Sequence, residues 1–195
     1  MWRTAGARFN ASRRLKHCNQ LSALAIAVLS SYLLAISVIQ MQYADYLNDH
    51  DGLNRLLGVV SVIGSVLIIV ASLTEWAKDF SSRANRVFDN ATNIKSLRTR
   101  QELVGAGGYP QDVLFEKLDA IRMDYEQLTG QGSPNHEPID DLLFRARNYR
   151  DPHPSFKMSW LQSMAIRLWC HLIAYWFYFA SIIGPPVLVA SMYAA

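Results

Sequence analysis

Three windows of the sequence contain no aspartate, glutamate, lysine or arginine: residues 21–41, 56–74 and 168–192. A helix rises about 1.5 Å per residue and the hydrocarbon core of a bilayer is about 30 Å thick, so about 20 apolar residues can span it. Each window is 19 to 25 residues long, and all 35 charged residues lie in the other 130. This segregation predicts three transmembrane helices. It disfavours a uniform globular enzyme, a secreted disulfide scaffold and a disordered tail.

The charges that flank the windows predict the orientation of the chain. Residues 1–20 carry five basic groups and no acid, whereas the 42–55 connector carries three aspartates and one arginine. Because basic flanks stay on the cytoplasmic side, we expect a cytoplasmic amino terminus, an external 42–55 loop, a cytoplasmic 75–167 segment and an external carboxyl terminus. The first window is longer than the roughly 7–15 apolar residues of a secretory signal, so we expect it to remain attached.

The cytoplasmic segment contains two apolar seams, each a row of residues with helical 4-3-4-3 spacing. The first seam is Phe80, Ala84, Val87, Ala91 and Ile94, and the second is Leu114, Leu118, Ile121, Tyr125 and Leu128. No Pro or Gly lies between Ser65 and Gly105, so we expect the second span to continue inward as one long helix. The Gly-rich sequence 105–110 ends that helix and predicts an antiparallel helical hairpin.

The predicted fold class is therefore an all-α membrane protein. It has three transmembrane helices, with the cytoplasmic helical hairpin between the second and the third. A further inner helix is predicted at residues 135–150, because Pro138 suits a first helical position and the acids beside it favour the positive end of a helix dipole.

Polar side chains cluster at the start of that inner helix. The cluster comprises Asn135, His136, Glu137, Asp140 and Asp141, and the arginines that follow are Arg145, Arg147 and Arg150. Three acids and an imidazole can bind a cation, act as acid and base, dock a partner or form a capped, solvated helix start. The candidates for docking a signal or partner are Asn135, His136, Asp140, Asp141 and Arg145. We expect no catalytic group, metal site or cofactor.

Two of the windows carry stripes of small polar residues. At about 100° per residue, one stripe runs along a face of the second span and the other along the first. The candidate pore-lining or helix-packing residues are Ser30, Ser37, Gln40, Gly58, Ser61, Ser65 and Ser72. Such stripes let helices pack closely, or line a wetted path when several copies assemble. Because two or three spans cannot enclose a conduit, conduction implies a homo-oligomer.

The third window differs in being aromatic. Its sequence from 169 to 179 contains two Trp, two Tyr and two Phe residues, and Gly184, Pro185 and Pro186 follow. We expect these last residues to kink the helix near its outer end, and we expect the third span to lie at the rim of the protein or to face lipid.

These features together resemble the SLATT (SMODS- and SLOG-associating) family of prokaryotic two-transmembrane effector domains. The resemblance covers about residues 8–150 and rests on the sequences RFNASRRLKHCNQLSALAIAVLSSYLLAISV, SVLIIVASLTEWAKDFSSRANRVFDNATNIKSL and NHEPIDDLLF. The shared marks are a basic approach to the first span, Ser72-Leu73, Arg83-Ala84, and Asn135 and His136 with Asp140. The third span is similar to the extra carboxyl-terminal helix of one branch, which is often encoded beside reverse transcriptases.

The resemblance implies an effector of a conflict system in the bacterial inner membrane. Such proteins are proposed to perforate the cell's own membrane, an abortive-infection form of antiviral defence, when an associated module detects a phage. It implies an operon-encoded sensor as partner, such as a reverse transcriptase or a nucleotide-second-messenger module, and it implies no established catalytic residues.

The alternative function is a non-conducting membrane adaptor that recruits a cytoplasmic partner through the coiled hairpin. Residues 75–167 carry 13 basic and 13 acidic groups, so no basic excess favours direct binding of nucleic acid.

Overall fold

The computed structural model describes residues 1–130 and 132–194, with side chains as far as Val187. Within these residues every regular element is helical and no strand occurs, which confirms the all-α prediction. The helices are α1 (Trp2–Gln42), α2 (Ala44–Asp49), α3 (Asp51–Ala77), α4 (Phe80–Ala106), α5 (Gln111–Thr129), α6 (Pro138–Arg147) and α7 (Trp160–Ala194), with a 3-10 turn at Pro154–Phe156. Three helical stretches are long and apolar enough to cross a membrane, and they contain the first two uncharged windows and most of the third.

The chain forms two compact units. The head unit comprises Met1–His17 and Phe80–Ala174, and the span unit comprises Cys18–Asp79 and the chain from Tyr175 onward. Helices α1 and α7 each contribute residues to both units.

The expectation of one uninterrupted helix from the second span into the hairpin is wrong. Helix α3 ends at Ala77 and α4 begins at Phe80, because Asp79 adopts a positive φ of 44°. The backbone N–H of Lys78 still bonds to the carbonyls of Thr74 and Glu75, so the interruption is confined to the junction. Aspartate tolerates the left-handed region better than most residues, and it ends the helix here without Gly or Pro.

In the head unit, α4 and α5 pack against each other in antiparallel directions. Asn90 near the start of α4 donates to the carbonyl of Leu128 near the end of α5, and Arg100 pairs with Asp124 at 3.3 Å. The turn between them includes Gly108, whose φ of 61° suits a residue without Cβ. Both predicted seams face inward, since every seam residue is buried or partly buried. The predicted cytoplasmic location of this hairpin stays a prediction.

The first turns of α1 complete the core of the head unit. Ala11 and Leu15 pack with Ala84 and Val87 of α4 in one buried cluster. Sequence reasoning treated residues 1–20 only as a basic flank, whereas the structure makes them a helix with a buried face.

The span unit is held by contacts among α1, α3 and α7. A Cβ added at Gly64 of α3 would lie 2.9 Å from Leu33 Cδ2 of α1, so the two helices approach closely at this glycine. Tyr32 Oη donates to the carbonyl of Ile182 at 3.0 Å, and Tyr178 Oη lies 3.2 Å from Glu75 Oε2.

Helix α7 continues through Pro185 and Pro186 to the end of the described chain. Its aromatic residues divide between two environments in the span unit: Tyr178 is buried, whereas Trp176 and Phe177 are exposed. The expectation that the third span faces lipid stays a prediction, and exposed aromatics are compatible with it.

Candidate functional site

The polar cluster lies at the start of α6, where it forms a capping box. The backbone N–H of Glu137 donates to Asp140 Oδ2 at 3.0 Å, and the Glu137 side chain accepts from the backbone N–H of Asp140. These bonds satisfy two donors that a helix start otherwise leaves unpaired. Pro138 occupies the first turn, as the sequence predicts, although α6 is shorter at both ends than the predicted 135–150.

Asp140 is a buried carboxylate that binds an arginine of α1. Arg14 Nε and Nη2 donate to Asp140 Oδ1 and Oδ2, each at 3.0 Å, and Arg14 Nη2 also lies 3.0 Å from Glu137 Oε1. The Asp140 side chain is only 1% exposed, so a solvated helix start does not describe it. Removing one partner of a buried ion pair costs about 3–5 kcal/mol. Asp140 therefore fixes α6 to α1.

Asp141 makes a second bidentate pair with α1, closer to the surface. Arg3 Nε and Nη2 donate to its two carboxylate oxygens at 2.6 and 2.5 Å. The hydrogen bonds from Arg3 hold the pKa of Asp141 below its usual value. Both candidate acids are thus already bound by arginines of the same chain.

A buried polar network also joins α1 to α4 and α5. Arg8 is only 2% exposed, and its Nη1 donates to the side-chain oxygen of Asn90 and to the Leu128 carbonyl, the latter at 3.1 Å. Asn10 Nδ2 donates to the backbone carbonyl of Asp140 at 3.2 Å. Because the first turns of α1 bond to three other helices, they organise the polar interior of the head unit.

Three of the candidate docking residues surround a cavity of about 510 Å³ in the head unit. Asn135, His136 and Asp141 line it together with Arg3 and Thr4 of α1. Burial, followed by the charge of a nearby arginine, lowers the pKa of His136. Its Nδ1 is buried and has no hydrogen-bond partner. The cavity therefore presents a partly buried imidazole, whose pKa is lowered, beside a carboxylate that is paired with Arg3.

The other two candidates lie elsewhere. Asp140 is enclosed by its pair with Arg14, and Arg145 Nε donates to the carbonyl of Ser155 at 2.8 Å. The described residues contain no group of three or more His, Cys, Asp or Glu side chains placed to hold a metal ion. Asp140 and Asp141 are already paired with arginines. The cavity is therefore suited to binding a polar group at His136 rather than at a carboxylate.

The small polar residues of the spans occupy two kinds of position. Gly58, Ser61 and Ser72 are partly buried in the span unit, whereas Ser30, Ser37 and Ser65 are exposed. Gln40 Nε2 lies 3.5 Å from Asn54 Oδ1.

Most of the serine hydroxyls in the spans bond to their own helix. The hydroxyls of Ser37, Ser65 and Ser72 donate to carbonyls one turn earlier, at 2.7 to 3.1 Å. Ser61 is different, because its Oγ is buried without a partner.

Sequence reasoning missed the arginines and the one asparagine of α1 that hold the site. Their signal is present, because Arg3, Ala7, Asn10 and Arg14 follow a 4-3-4 spacing and share one helix face. The basic composition of this segment concealed the pattern, since basic residues before a span are sufficiently explained by orientation.

Comparison with known proteins identifies the family. The family model described as SMODS and SLOG-associating 2TM effector domain family 5 matches residues 1–191, which includes the third apolar helix. No curated protein and no solved structure gives a match. The family model extends beyond the residues 8–150 that carry the resemblance, it confirms the suspected family, and the chain belongs to the SMODS and SLOG-associating 2TM effector domain family.

Proposed function

We propose that this protein is an inner-membrane effector of a bacterial anti-phage system, which assembles into a membrane-perforating oligomer after a cytoplasmic signal. One observation carries the proposal: a member of an effector-domain family has three helices whose apolar surfaces are almost uncovered. In the most apolar stretch of α3 no residue is buried. Apolar surface on this scale requires lipid or other copies of the chain.

The orientation follows from the flanking charges. The basic residues of 1–20 favour a cytoplasmic amino terminus, and the head unit contains these residues together with most of the charged 75–167 segment. The head unit is then cytoplasmic, whereas the 42–55 connector faces outward. The signal therefore reaches the protein from the cytoplasm, through a sensor encoded nearby, such as a reverse transcriptase or a nucleotide-second-messenger module.

The pore requires several chains, because three spans cannot enclose water. Ser30, Ser37 and Ser65 are exposed in the single chain, and these positions suit the wall of a conduit between copies. Ser61 is partly covered within the chain and its hydroxyl is buried, so this position suits packing between helices. Division of the stripes in this way assigns conduction and packing to different residues.

Induction of the protein together with its sensor module tests the proposal. We expect loss of membrane potential and entry of an otherwise excluded dye within minutes of triggering. A triple variant with Ser30, Ser37 and Ser65 changed to leucine should insert normally and leak little. The matched control is Ser31→Leu, an exposed serine of the same span outside the stripe, which should leak normally. Normal potential despite abundant membrane-inserted protein contradicts the pore.

The alternative is a non-conducting adaptor, and the cavity at His136 favours it as a second candidate. The predicted docking residues Asn135, His136 and Asp141 line a recess that can receive a polar group of a partner. An adaptor retains its sensor partner in detergent but leaves membranes intact. Loss of partner retention in His136→Ala, with the chain still folded, supports this function, and unchanged retention removes His136 from it.

A further inference from the structure

A second and larger cavity lies within the head unit, among α1, α4 and α6. Its volume is about 790 Å³, which is within the range of about 300–1,000 Å³ typical of small-molecule sites. None of the five candidate docking residues is among the described residues that line it. It is therefore separate from the recess at His136.

The lining of this cavity is strongly basic. Its charged side chains are Arg13, Lys16, Lys95, Arg98 and Arg147. No aspartate or glutamate is among the described lining residues. Five cations from three helices favour a ligand with several negative charges.

Two of these cations are held in place by hydrogen bonds to other residues of the head unit. Arg98 Nε donates to Glu102 Oε1 at 2.7 Å, and Arg147 Nη1 donates to Asn10 Oδ1 at 2.8 Å. The contact with Glu102 uses only one of the five N–H donors of the Arg98 guanidinium, so Arg98 retains donors for an anion.

Aromatic rings accompany the basic groups. The rings of Trp2 and Phe144 lie 5.1 Å apart between centroids, and those of Phe9 and Phe88 lie 5.5 Å apart. Trp2 and Phe88 keep 37% and 44% of their surface exposed, so each has area available to a ligand. Exposed rings beside cations suit a molecule with an anionic part and an apolar or planar part.

We propose that this cavity binds a phosphate-bearing ligand whose organic part contacts the aromatic rings. A phosphate ester carries up to two negative charges and three strong acceptor oxygens, which matches arginine and lysine donors better than a single carboxylate does. A soluble nucleotide and a phospholipid headgroup share this chemistry. The proposal goes beyond the pore, because binding does not require the chain to conduct.

Binding to the purified full chain in neutral detergent tests the proposal and distinguishes the two sources. The probes for calorimetry are adenosine monophosphate, inorganic phosphate and short-chain phosphatidylglycerol below its micelle concentration. We expect saturable binding of one organic phosphate, at least about tenfold tighter than inorganic phosphate and weakened by added salt. Preference for the mononucleotide supports a soluble ligand, and preference for phosphatidylglycerol supports a headgroup.

Paired variants locate the binding. The double variant Arg13→Ala with Lys95→Ala should weaken binding at least about tenfold, since it removes two charged donors. The control, Arg83→Ala with Lys157→Ala, removes the same charge from exposed residues of the head unit outside the lining, and it should bind normally. Phe88→Leu should weaken binding of the organic phosphate but leave binding of inorganic phosphate unchanged.

Two outcomes overturn the proposal. One is the absence of saturable binding by all three probes, and the other is binding that the Arg13 and Lys95 double variant leaves intact. Leakage measured on the same variants separates this inference from the pore. Binding without leakage contradicts only the pore, whereas leakage without binding contradicts only the ligand site.

Discussion

Helices α3 and α4 are neighbours in the chain and each is 27 residues long, yet they differ in how many of their side chains are buried. Helix α4 buries six residues along one face, whereas α3 buries none. Val62 and Leu67 of α3 are 66% and 62% exposed. Burial of apolar surface is worth about 25 cal/mol per Å². For α4 the protein interior supplies that burial, whereas for α3 lipid or another copy must do so.

The two helices differ in both the number and the arrangement of their apolar residues. The 4-3 spacing of Ala84, Val87, Ala91 and Ile94 gives one buried face against other helices. The uncharged sequence of residues 56–74 places apolar side chains on all sides of its helix, with only glycine, serine and threonine between them. The first pattern indicates packing within a water-facing unit, and the second indicates a membrane.

The largest expected effect comes from breaking the polar interior of the head unit. Asp140→Ala leaves Arg14 partly buried without its bidentate partner, and we expect a loss of about 3–5 kcal/mol in the stability of the head unit. Asp124→Ala removes an exposed partner of Arg100 and should cost about 0–1 kcal/mol. Hydrogen exchange of α4 and α6 amides measures both. Equal protection in the two variants contradicts the anchoring role of Asp140.

A matched pair of lysine substitutions tests the environment of α3 directly. Leu67 of α3 and Phe115 of α5 are equally exposed, at 62% and 61%. Leu67→Lys should disfavour insertion by about 3 kcal/mol, because lysine is costly at the centre of a transmembrane helix. Phe115→Lys should insert normally. Carbonate extraction of the membranes reads the result, and equal insertion of both variants removes the distinction between α3 and the head unit.

A smaller effect is expected where the spans pack together. Gly64→Val places a branched side chain against Leu33, and overpacking of this kind costs about 1–3 kcal/mol. No atom outside its own helix lies within 4 Å of a Cβ at Gly58, so Gly58→Val should change the stability of the monomer by no more than about 0.5 kcal/mol. Thermal unfolding in detergent measures the stability of the two variants. A larger loss of stability in Gly58→Val than in Gly64→Val contradicts the close packing of α3 and α1 at Gly64.

The smallest effect concerns pH. Arg3 lowers the folded-state pKa of Asp141, so the pair stabilises the head unit above the unfolded pKa of an aspartate, about 3.9. This stability is lost as pH falls through the lower folded pKa. Because Arg3 is 47% exposed, we expect no more than about 1 kcal/mol. The difference in free energy of unfolding between Arg3→Ala and the unchanged chain should become smaller between pH 5 and pH 2. A difference that stays constant with pH contradicts a contribution from this ion pair.

The sequence was sufficient to predict the spans and the seams, because both depend on the local order of apolar residues. Predicting the spans requires only the length of the uncharged windows, and predicting the seam from Phe80 to Ile94 requires only helical periodicity. The partners of α1 could not be predicted in this way. Arg14 and Asp140 are 126 positions apart, and no local pattern specifies which carboxylate an arginine meets.

The candidate site shows the same limit. The cluster at residues 135–141 was visible as an accumulation of polar side chains, and its capping box follows from local spacing. Which of its members face a cavity depends on how α1 packs against α6. That packing separates His136, which lines a cavity, from Asp140, which does not.

Asp79 has a consequence for how this chain tolerates mutation. A left-handed backbone conformation costs most L residues about 1–2 kcal/mol. The cost is higher for a β-branched residue than for aspartate. Replacing Asp79 with valine would therefore destabilise the junction between α3 and α4, whereas replacing it with glycine would remove the conformational cost. Alanine or leucine at this position prefers right-handed helical angles, so either would favour helical geometry across residues 78–80. The backbone conformation of a single residue thus helps to decide where one helix ends and the next begins.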